Sequence, residues 1–506
     1  MPNSTTIKNL SVHPHYSLSF SFFLLPPPPL LPNSSLGLLM VGIRAASSWF
    51  AFLPLVLVVA AGGGVSFLGE KKVLVLRPRF QLEVTKTSEK CLPQRSRRVA
   101  GATILEVKQQ GRKDATWKVL AGDNARVRSL QSRLGNTVAN RAEAAPSEAR
   151  LPLNSGAKVQ TQNYIVTIEL AGKQMTVIVD TGSDLTWVQC VPCKSCYSQE
   201  DPLFDPAASP SYQPIPCNTS TCDSLRAATG ISGVCGSDRP SCNYELSYGD
   251  GSYTNGVLAR DSISLASVSV EGFVFGCGRS NGGMFGGTSG LMGLGRAQLS
   301  LISQTTPRFG GVFSYCLPTQ EFDSSGSLIL GSAYDTFKNL TPVVFTNMLP
   351  DSSSYFLNLT GMSIGGVALQ DQFSTKVLID SGTVITRLAP SVYKLVKDEF
   401  LRQFSGFPPA PDFSILDTCF DLAGYKEVSI PNIRFAFQGD AEVEVDVSGV
   451  LYLVKQDASQ ACLAFASLAY EDEVGIIGNY QQKNLRVVYD TVGSRLGFAE
   501  ENCGYS

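Results

Sequence analysis

Two aspartates carry the residue types and spacing from which chemistry could come. Asp180 lies in Val177–Val188, VIVDTGSDLTWV, and Asp380 lies 200 positions later in Val377–Leu388, VLIDSGTVITRL. The two copies share Val177/Val377, Asp180/Asp380, Gly182/Gly382 and Thr186/Thr386. In each, a run of β-branched residues ends on a carboxylate followed at once by a hydroxyl and a glycine, which sets an acid at a strand tip beside backbone and hydroxyl donors. Two such copies imply two lobes, each lending one acid to a shared site. A second correspondence pairs LMGLG at 291–295 with IIGNY at 476–480. Each hydrophobic-hydrophobic-Gly segment follows its acid, by 293 − 180 = 113 and 478 − 380 = 98 residues.

Missing residues narrow the chemistry further. Both histidines, His13 and His15, precede residue 20, so the sequence 151–506 offers no Ser-His-Asp triad, Cys-His dyad or histidine-ligated metal. Acid-base work there falls to carboxylates, Lys, Tyr or thiols. Twelve of the 13 cysteines lie between Cys190 and Cys503, which reads as a disulfide framework made in an oxidising compartment. The run Cys190, Cys193, Cys196 admits a zinc or iron–sulfur site as an alternative, but no second C-x-x-C knuckle or histidine completes four ligands. No metal or cofactor is therefore expected. Sequons at Asn218, Asn339 and Asn358 accord with secretion and glycosylation.

The elements that position these residues are mainly β. With 46 Gly, 28 Pro and only 17% charged residues among 506, the composition favours turn-rich sheets over helices. The net charge of −2 hides a split: Lys+Arg minus Asp+Glu is 18 − 7 = +11 over 71–150 and 21 − 35 = −14 over 151–506. A basic segment ahead of an acidic body suits a prosegment that covers the body electrostatically, and the acidic body is a poor partner for nucleic acid. Residues 1–64 read as a leader: from Met40 a short region with Arg44, an apolar core from Trp49 to Ala61 and small residues form a secretory signal pattern over 40–64. An organelle transit peptide is the competing reading, and the apolar run is too short to span a membrane stably.

Residues 65–150 form the basic prosegment, with apolar Val73–Leu76 and a helix-compatible tract near Ala125–Leu134 made basic by Arg126, Arg128 and Arg133 and, just beyond it, Arg141. The first lobe covers 151–340. It opens with a hairpin of YIVTIEL from Tyr164 and Gln174–Val179, carries a Cys-rich insertion at 190–243, and continues into YELSYGDGSY, a strand pair about a Gly-Asp-Gly turn. The second lobe, 341–506, repeats the plan, with a helix over Pro390–Phe404 whose stripe is Val392, Leu395, Val396, Phe400 and Leu401.

With both acid turns, both Gly segments, YGDGS and the Cys-rich insertion in hand, residues 151–506 resemble a pepsin-fold aspartic endopeptidase. They are most similar to the plant nepenthesin-like, atypical group that includes the chloroplast-nucleoid-type proteases. The resemblance implies a bilobal fold of pseudo-two-fold symmetric β-rich lobes with a few short helices. It makes Asp180 and Asp380 the catalytic pair. Thr181 and Ser381 would hold the two turns together across the lobe interface. Ser183 and Thr383 would donate to the outer carboxylate oxygens, and Gly182 and Gly382 would let the backbone approach them. Tyr248 and Gly249 match the flap that closes over substrate, and Trp187 matches the indole that bonds the flap phenol.

The resemblance also implies the bridges Cys190–Cys193, Cys196–Cys277, Cys217–Cys242, Cys222–Cys235, Cys316–Cys503 and Cys419–Cys462. The implied activity is cleavage of proteins and peptides at acidic pH by a monomer made as a zymogen, its own prosegment acting as inhibitor. The implied destination is the apoplast or vacuole, with the chloroplast as the alternative. A catalytically silent inhibitor or binding protein on the same scaffold is the runner-up reading.

Overall fold

A computed structural model describes residues 116–133, 149–155 and 161–503, apart from 236–239, 249–250, 320–325, 333–340, 351–353, 370–373, 426 and 456–458, together with the backbone pairing of five short strands before residue 105. Two compact units are present, Met1–Leu68 and Gly69–Ser506. The expected leader falls almost wholly outside the described residues. In the first unit, Leu36–Val41 pairs antiparallel with Leu55–Ala60. Among the described residues, no helix is long and apolar enough to cross a membrane.

Within the second unit Asp180 ends one strand and Asp380 directly follows another, for the same local reason. In the first half, Tyr164–Leu170 and Lys173–Asp180 form a hairpin whose two-residue loop, Ala171-Gly172, has φ of 47° and 73°. Positive φ at both positions matches the twist of the flanking strands. Strand Lys173–Asp180 then pairs in parallel with Gly290–Gly293, aligning Asp180 with Gly293. Strand Trp187–Gln189 crosses the other side of that segment, with Trp187 opposite Leu291.

The second half repeats this arrangement. Thr375–Ile379 pairs in parallel with Gly475–Ile477, and Thr386–Leu388 runs antiparallel to the same segment with Arg387 opposite Ile476. The hydrophobic-hydrophobic-Gly segment is thus the strand that threads between the two arms of each acid turn. Its glycine is required: a Cβ on Gly293 would meet the Asp184 backbone at 2.3 Å, and one on Gly478 would meet the Val384 backbone at 2.6 Å.

Strands of both halves meet in one sheet of 15, in which Ala149–Ser155, Gly326–Leu330, Val312–Cys316, Leu485–Asp490 and Arg495–Glu500 are successive neighbours. A sheet of eight belongs to the second half alone. The main apolar core runs through both. Helix Pro390–Gln403 buries Val392, Tyr393, Val396 and Phe400, while Leu401 stays exposed, so the apolar stripe lies about Tyr393 rather than Leu401.

The cysteines pair differently from the implied pattern. All twelve are bridged, and Cys316–Cys503 and Cys419–Cys462 form. The other eight form Cys190–Cys277, Cys193–Cys196, Cys217–Cys235 and Cys222–Cys242, which replaces all four implied bridges of the first lobe. Strand register and sidedness decide this. Trp187–Gln189 lies beside Gly276–Gly278 in parallel, which brings Cys190 against Cys277 and leaves Cys193 to its neighbour Cys196. In the second cluster the two buried cysteines, Cys222 and Cys242, join each other, and the outer Cys217 and Cys235 do likewise. Of the sequons, Asn218 sits exposed in a turn with φ of 57°, and Asn358 lies half-buried in a strand, its Oδ1 accepting from Ser374 Oγ at 2.8 Å; Asn339 is outside the described residues.

Candidate active site

The two acid turns face each other and are locked by reciprocal hydrogen bonds. Thr181 N donates to Ser381 Oγ at 3.1 Å and Ser381 N donates to Thr181 Oγ1 at 2.9 Å. The same hydroxyls donate onward, Thr181 Oγ1 to Ile379 O at 3.2 Å and Ser381 Oγ to Val179 O at 2.9 Å. Four bonds between buried groups fix the separation of the strand tips and so of the acids they carry.

Asp180 and Asp380 are fully buried. Asp180 accepts from Gly182 N at 2.9 Å and Ser183 Oγ at 2.6 Å; Asp380 accepts from Gly382 N at 2.9 Å and Thr383 Oγ1 at 2.5 Å. The glycines are dictated by the opposing acid. A Cβ on Gly182 would lie 2.6 Å from Asp380 Oδ1, and one on Gly382 would lie 2.3 Å from Asp180 Oδ1.

A cation from outside the two lobes sits between them. Arg126, on helix Thr116–Arg133, donates from Nη2 to Asp180 Oδ1 at 2.6 Å and to Asp380 Oδ2 at 3.2 Å. Burial pushes Asp180 up, but the Arg126 charge with the Ser183, Arg126 and Gly182 hydrogen bonds outweighs it and holds the group below the ordinary carboxylate range. Asp380 moves the other way. Burial and the Asp180 charge raise it, and Arg126, Thr383 and Gly382 only partly oppose them. Burial lowers Arg126, but the two acids more than restore it, and the guanidinium stays charged.

The helix is seated over the second lobe by one face. Leu120 packs in a cluster with Val384, Ile385, Tyr452 and Tyr480, while Val127 and Leu130 pack with Phe356, Leu378 and Ile476. Between them, Asp123 accepts from Val384 N at 2.6 Å, Ile385 N at 3.2 Å and Arg387 Nη2 at 2.8 Å. The helix begins nine residues ahead of the expected tract, since docking rather than intrinsic propensity stabilises it.

On the first lobe, Trp187 Nε1 donates to Tyr248 Oη at 2.9 Å, and Phe285 meets both rings edge-on at centroid distances of 4.9 and 5.6 Å. Gly249, expected beside Tyr248 in a flap, lies outside the described residues.

Residue-by-residue reading of the sequence missed Asp123, Arg387, Asn479 and Gln482. Asn479 Nδ2 donates to Ser381 O at 2.9 Å, and Gln482 Nε2 donates to Asp380 O at 3.3 Å, so both brace the second acid turn from behind. The one available signal concerned Arg387, which stands seven positions after Asp380 as Trp187 stands seven after Asp180.

The comparisons with known proteins identify the family. The family described as xylanase inhibitor N-terminal matches residues 164–332, and the one described as xylanase inhibitor C-terminal matches 354–500. An aspartyl protease family protein of Arabidopsis thaliana is 42% identical over 395 residues, covering 76% of this chain and 82% of its own. Aspartic proteinase nepenthesin-1 of Nepenthes gracilis is 31% identical over 377 residues, covering 70% and 82%. Among solved structures, an aspartic proteinase from Irpex lacteus superposes with a TM-score of 0.52 at 17% identity, over 71% of this chain and 99% of its own. Basic 7S globulin from soybean does so with a TM-score of 0.55 at 21% identity, over 70% and 95%, and at such identities both speak for the fold alone. Identity at this level over most of both chains, on two lobes that each end a strand in an Asp-Thr/Ser-Gly turn, means that the chain belongs to the pepsin-fold aspartic endopeptidases of the plant nepenthesin-like group.

Proposed function

We propose that the protein is made as a zymogen and hydrolyses peptide bonds at acidic pH through Asp180 and Asp380 acting on one water. The observation that carries this reading is a cation, Arg126, bridging two fully buried carboxylates, each with its own hydroxyl and amide donor. Two carboxylates so close cannot both ionise cheaply and share a proton, the behaviour for which aspartic proteases are the standard example. In the proposed cycle the water occupies the position of Arg126 Nη2. Ionised Asp180 takes its proton as the oxygen attacks the peptide carbonyl, and protonated Asp380 donates to the carbonyl oxygen. Collapse of the tetrahedral adduct passes the proton on Asp180 to the leaving amine while an adduct hydroxyl returns one to Asp380, so the pair ends singly protonated. Tyr248, held by Trp187, covers the substrate from the first lobe.

In the same reading Arg126 and the 116–133 helix are the inhibitor. The helix fills the position a substrate needs and neutralises the acids that would act on it. The depressed value of Asp180 gives the sign of the trigger. Its contribution to seating the helix is in force above the ordinary carboxylate range and is lost as pH falls through its depressed value. Asp380, raised, contributes with the opposite sign, being favoured at low pH and penalised as pH rises through its raised value. The acid trigger therefore works through Asp180. Cleavage of the sequence between the helix and Ala149 would make release permanent. The protein is proposed to be secreted to the apoplast or to enter the vacuole.

The family descriptions, which name a xylanase inhibitor, raise a second reading, a binding protein without turnover. The presence of both acids with both hydroxyl partners favours the protease. Full-length protein brought to acidic pH should develop pepstatin-sensitive cleavage of a peptide substrate. Persistence of that cleavage in Asp180→Asn and Asp380→Asn would overturn the assignment.

A further inference from the structure

Arg387 carries a buried charge that the proposed mechanism does not use. Its side chain is 1% exposed, Nη2 donates to Asp123 at 2.8 Å, and Nε has no hydrogen-bond partner among the described residues. The same carboxylate takes the backbone N–H of Val384 and Ile385, so three donors from the segment just beyond the Asp380 turn converge on one acidic group. That group belongs to the helix whose withdrawal is proposed to open the cleft. Withdrawal leaves a guanidinium and two backbone donors aimed at the space a carboxylate has left. An arginine that has lost its counter-charge, with two backbone donors beside it, favours a replacement carboxylate.

We infer that, once helix Thr116–Arg133 is gone, Arg387 with the amides of Val384 and Ile385 forms a carboxylate-binding subsite of the cleft that selects substrates bearing Asp or Glu near the cleaved bond. Asp123 is the stand-in for that side chain, as Arg126 is the stopper at the acids. The two are three residues apart on one helix, a rise of about 4.5 Å. An extended peptide advances about 3.3 Å per residue, so the acidic residue falls within about three positions of the scissile bond. A guanidinium lowers the pKa of a carboxylate placed against it, so the contact persists in mild acid. On the first lobe the equivalent position is Trp187, which bonds the flap. The two lobes thus use the same backbone site for opposite ends of substrate recognition.

This inference rests on the reading of Asp180 and Asp380 as the hydrolytic pair, and its test separates the two. The mature protein, released from the full chain, is assayed with peptide pairs that differ only by Glu or Gln at each position near the cleaved bond. Glu should be favoured at one position by roughly tenfold to a hundredfold in kcat/KM. In Arg387→Gln that ratio should fall toward one, and Arg387→Lys should keep part of it. The same pairs are bound to mature Asp180→Asn by fluorescence polarisation, which needs no turnover. Equal affinity for Glu and Gln peptides at every position overturns the subsite, whatever the enzyme cleaves. A Glu preference in binding, with no cleavage by the unsubstituted protein, supports the subsite and overturns the hydrolytic reading instead. A preference only for a free C-terminal carboxylate over its amide assigns the donors to a chain end and overturns side-chain recognition.

Discussion

The two lobes place the same backbone at the seventh position after each acid and then diverge. Trp187 lies opposite Leu291 and Arg387 opposite Ile476, each on the strand that threads the acid turn. The first lobe puts an indole there, which donates to Tyr248 within an aromatic cluster. The second puts a guanidinium there, which donates to Asp123 of the docked helix. The repeat governs what must be equal, namely strand tips, glycines and hydroxyls around the acids. Side chains one turn further out are free to specialise because they do not bear on the carboxylate separation. One lobe's outer residue bonds a tyrosine, and the other's bonds an acid.

The largest expected effect breaks what the lobes share. Asp180→Asn or Asp380→Asn should each lower kcat by at least about 10²–10⁴-fold, since each removes one proton-transfer partner. Single-turnover hydrolysis of a quenched peptide measures this, with melting temperature as the check on folding. Next comes the cation that holds both acids. Removing one partner of a buried ion pair costs about 3–5 kcal/mol. Arg126→Ala in the full chain should therefore raise activity before processing by roughly 10²-fold or more, read as the initial rate of unprocessed protein against the mature form.

The pH dependence of release sharpens the same contrast. Because Asp180 is depressed, activation of the full chain should accelerate as pH falls below the ordinary carboxylate value of about 3.9, with the raised Asp380 opposing it. The acceleration should flatten in Arg126→Ala; a profile identical to that of the unsubstituted chain would remove Arg126 from the trigger. Trp187→Phe keeps the first lobe's packing but deletes one hydrogen bond, with an expected loss of about 1 kcal/mol, roughly fivefold, expressed mainly in KM. Smallest of all, Ser183→Ala removes one of several groups that lower Asp180. The acid limb of the mature pH–rate profile should move upward by less than about one unit.

The acid turns were legible in the sequence because each is a local device. A strand, an acid, a hydroxyl and a glycine within four residues leave few ways to fold, and a second copy 200 positions on identifies the partner. The hairpin at Tyr164–Asp180 was legible for the same reason, though its loop is two residues rather than three. The first-lobe disulfides were not, because eight cysteines crowd into one region and only strand register and sidedness distinguish their partners. Braces such as Asn479 and Gln482 come from about 100 residues beyond the turn they support, with nothing local to announce them.

By itself the sequence determined that two carboxylates with matched neighbours would end matched strands, and that a basic segment precedes an acidic body. It singled out Arg126 only as one of four arginines in and just beyond a helix-compatible tract. Tertiary structure chose among them. Docking of Leu120, Val127 and Leu130 sets the helical phase, which turns Arg126 inward to both acids and leaves Arg128 exposed. The same phase brings Asp123 to Arg387, two charges 264 residues apart in the chain. Short-range pattern can specify which groups an acid turn contains. Which distant charge is laid against it depends on the rotation of a packed helix, and that is fixed only when its apolar face finds the second lobe.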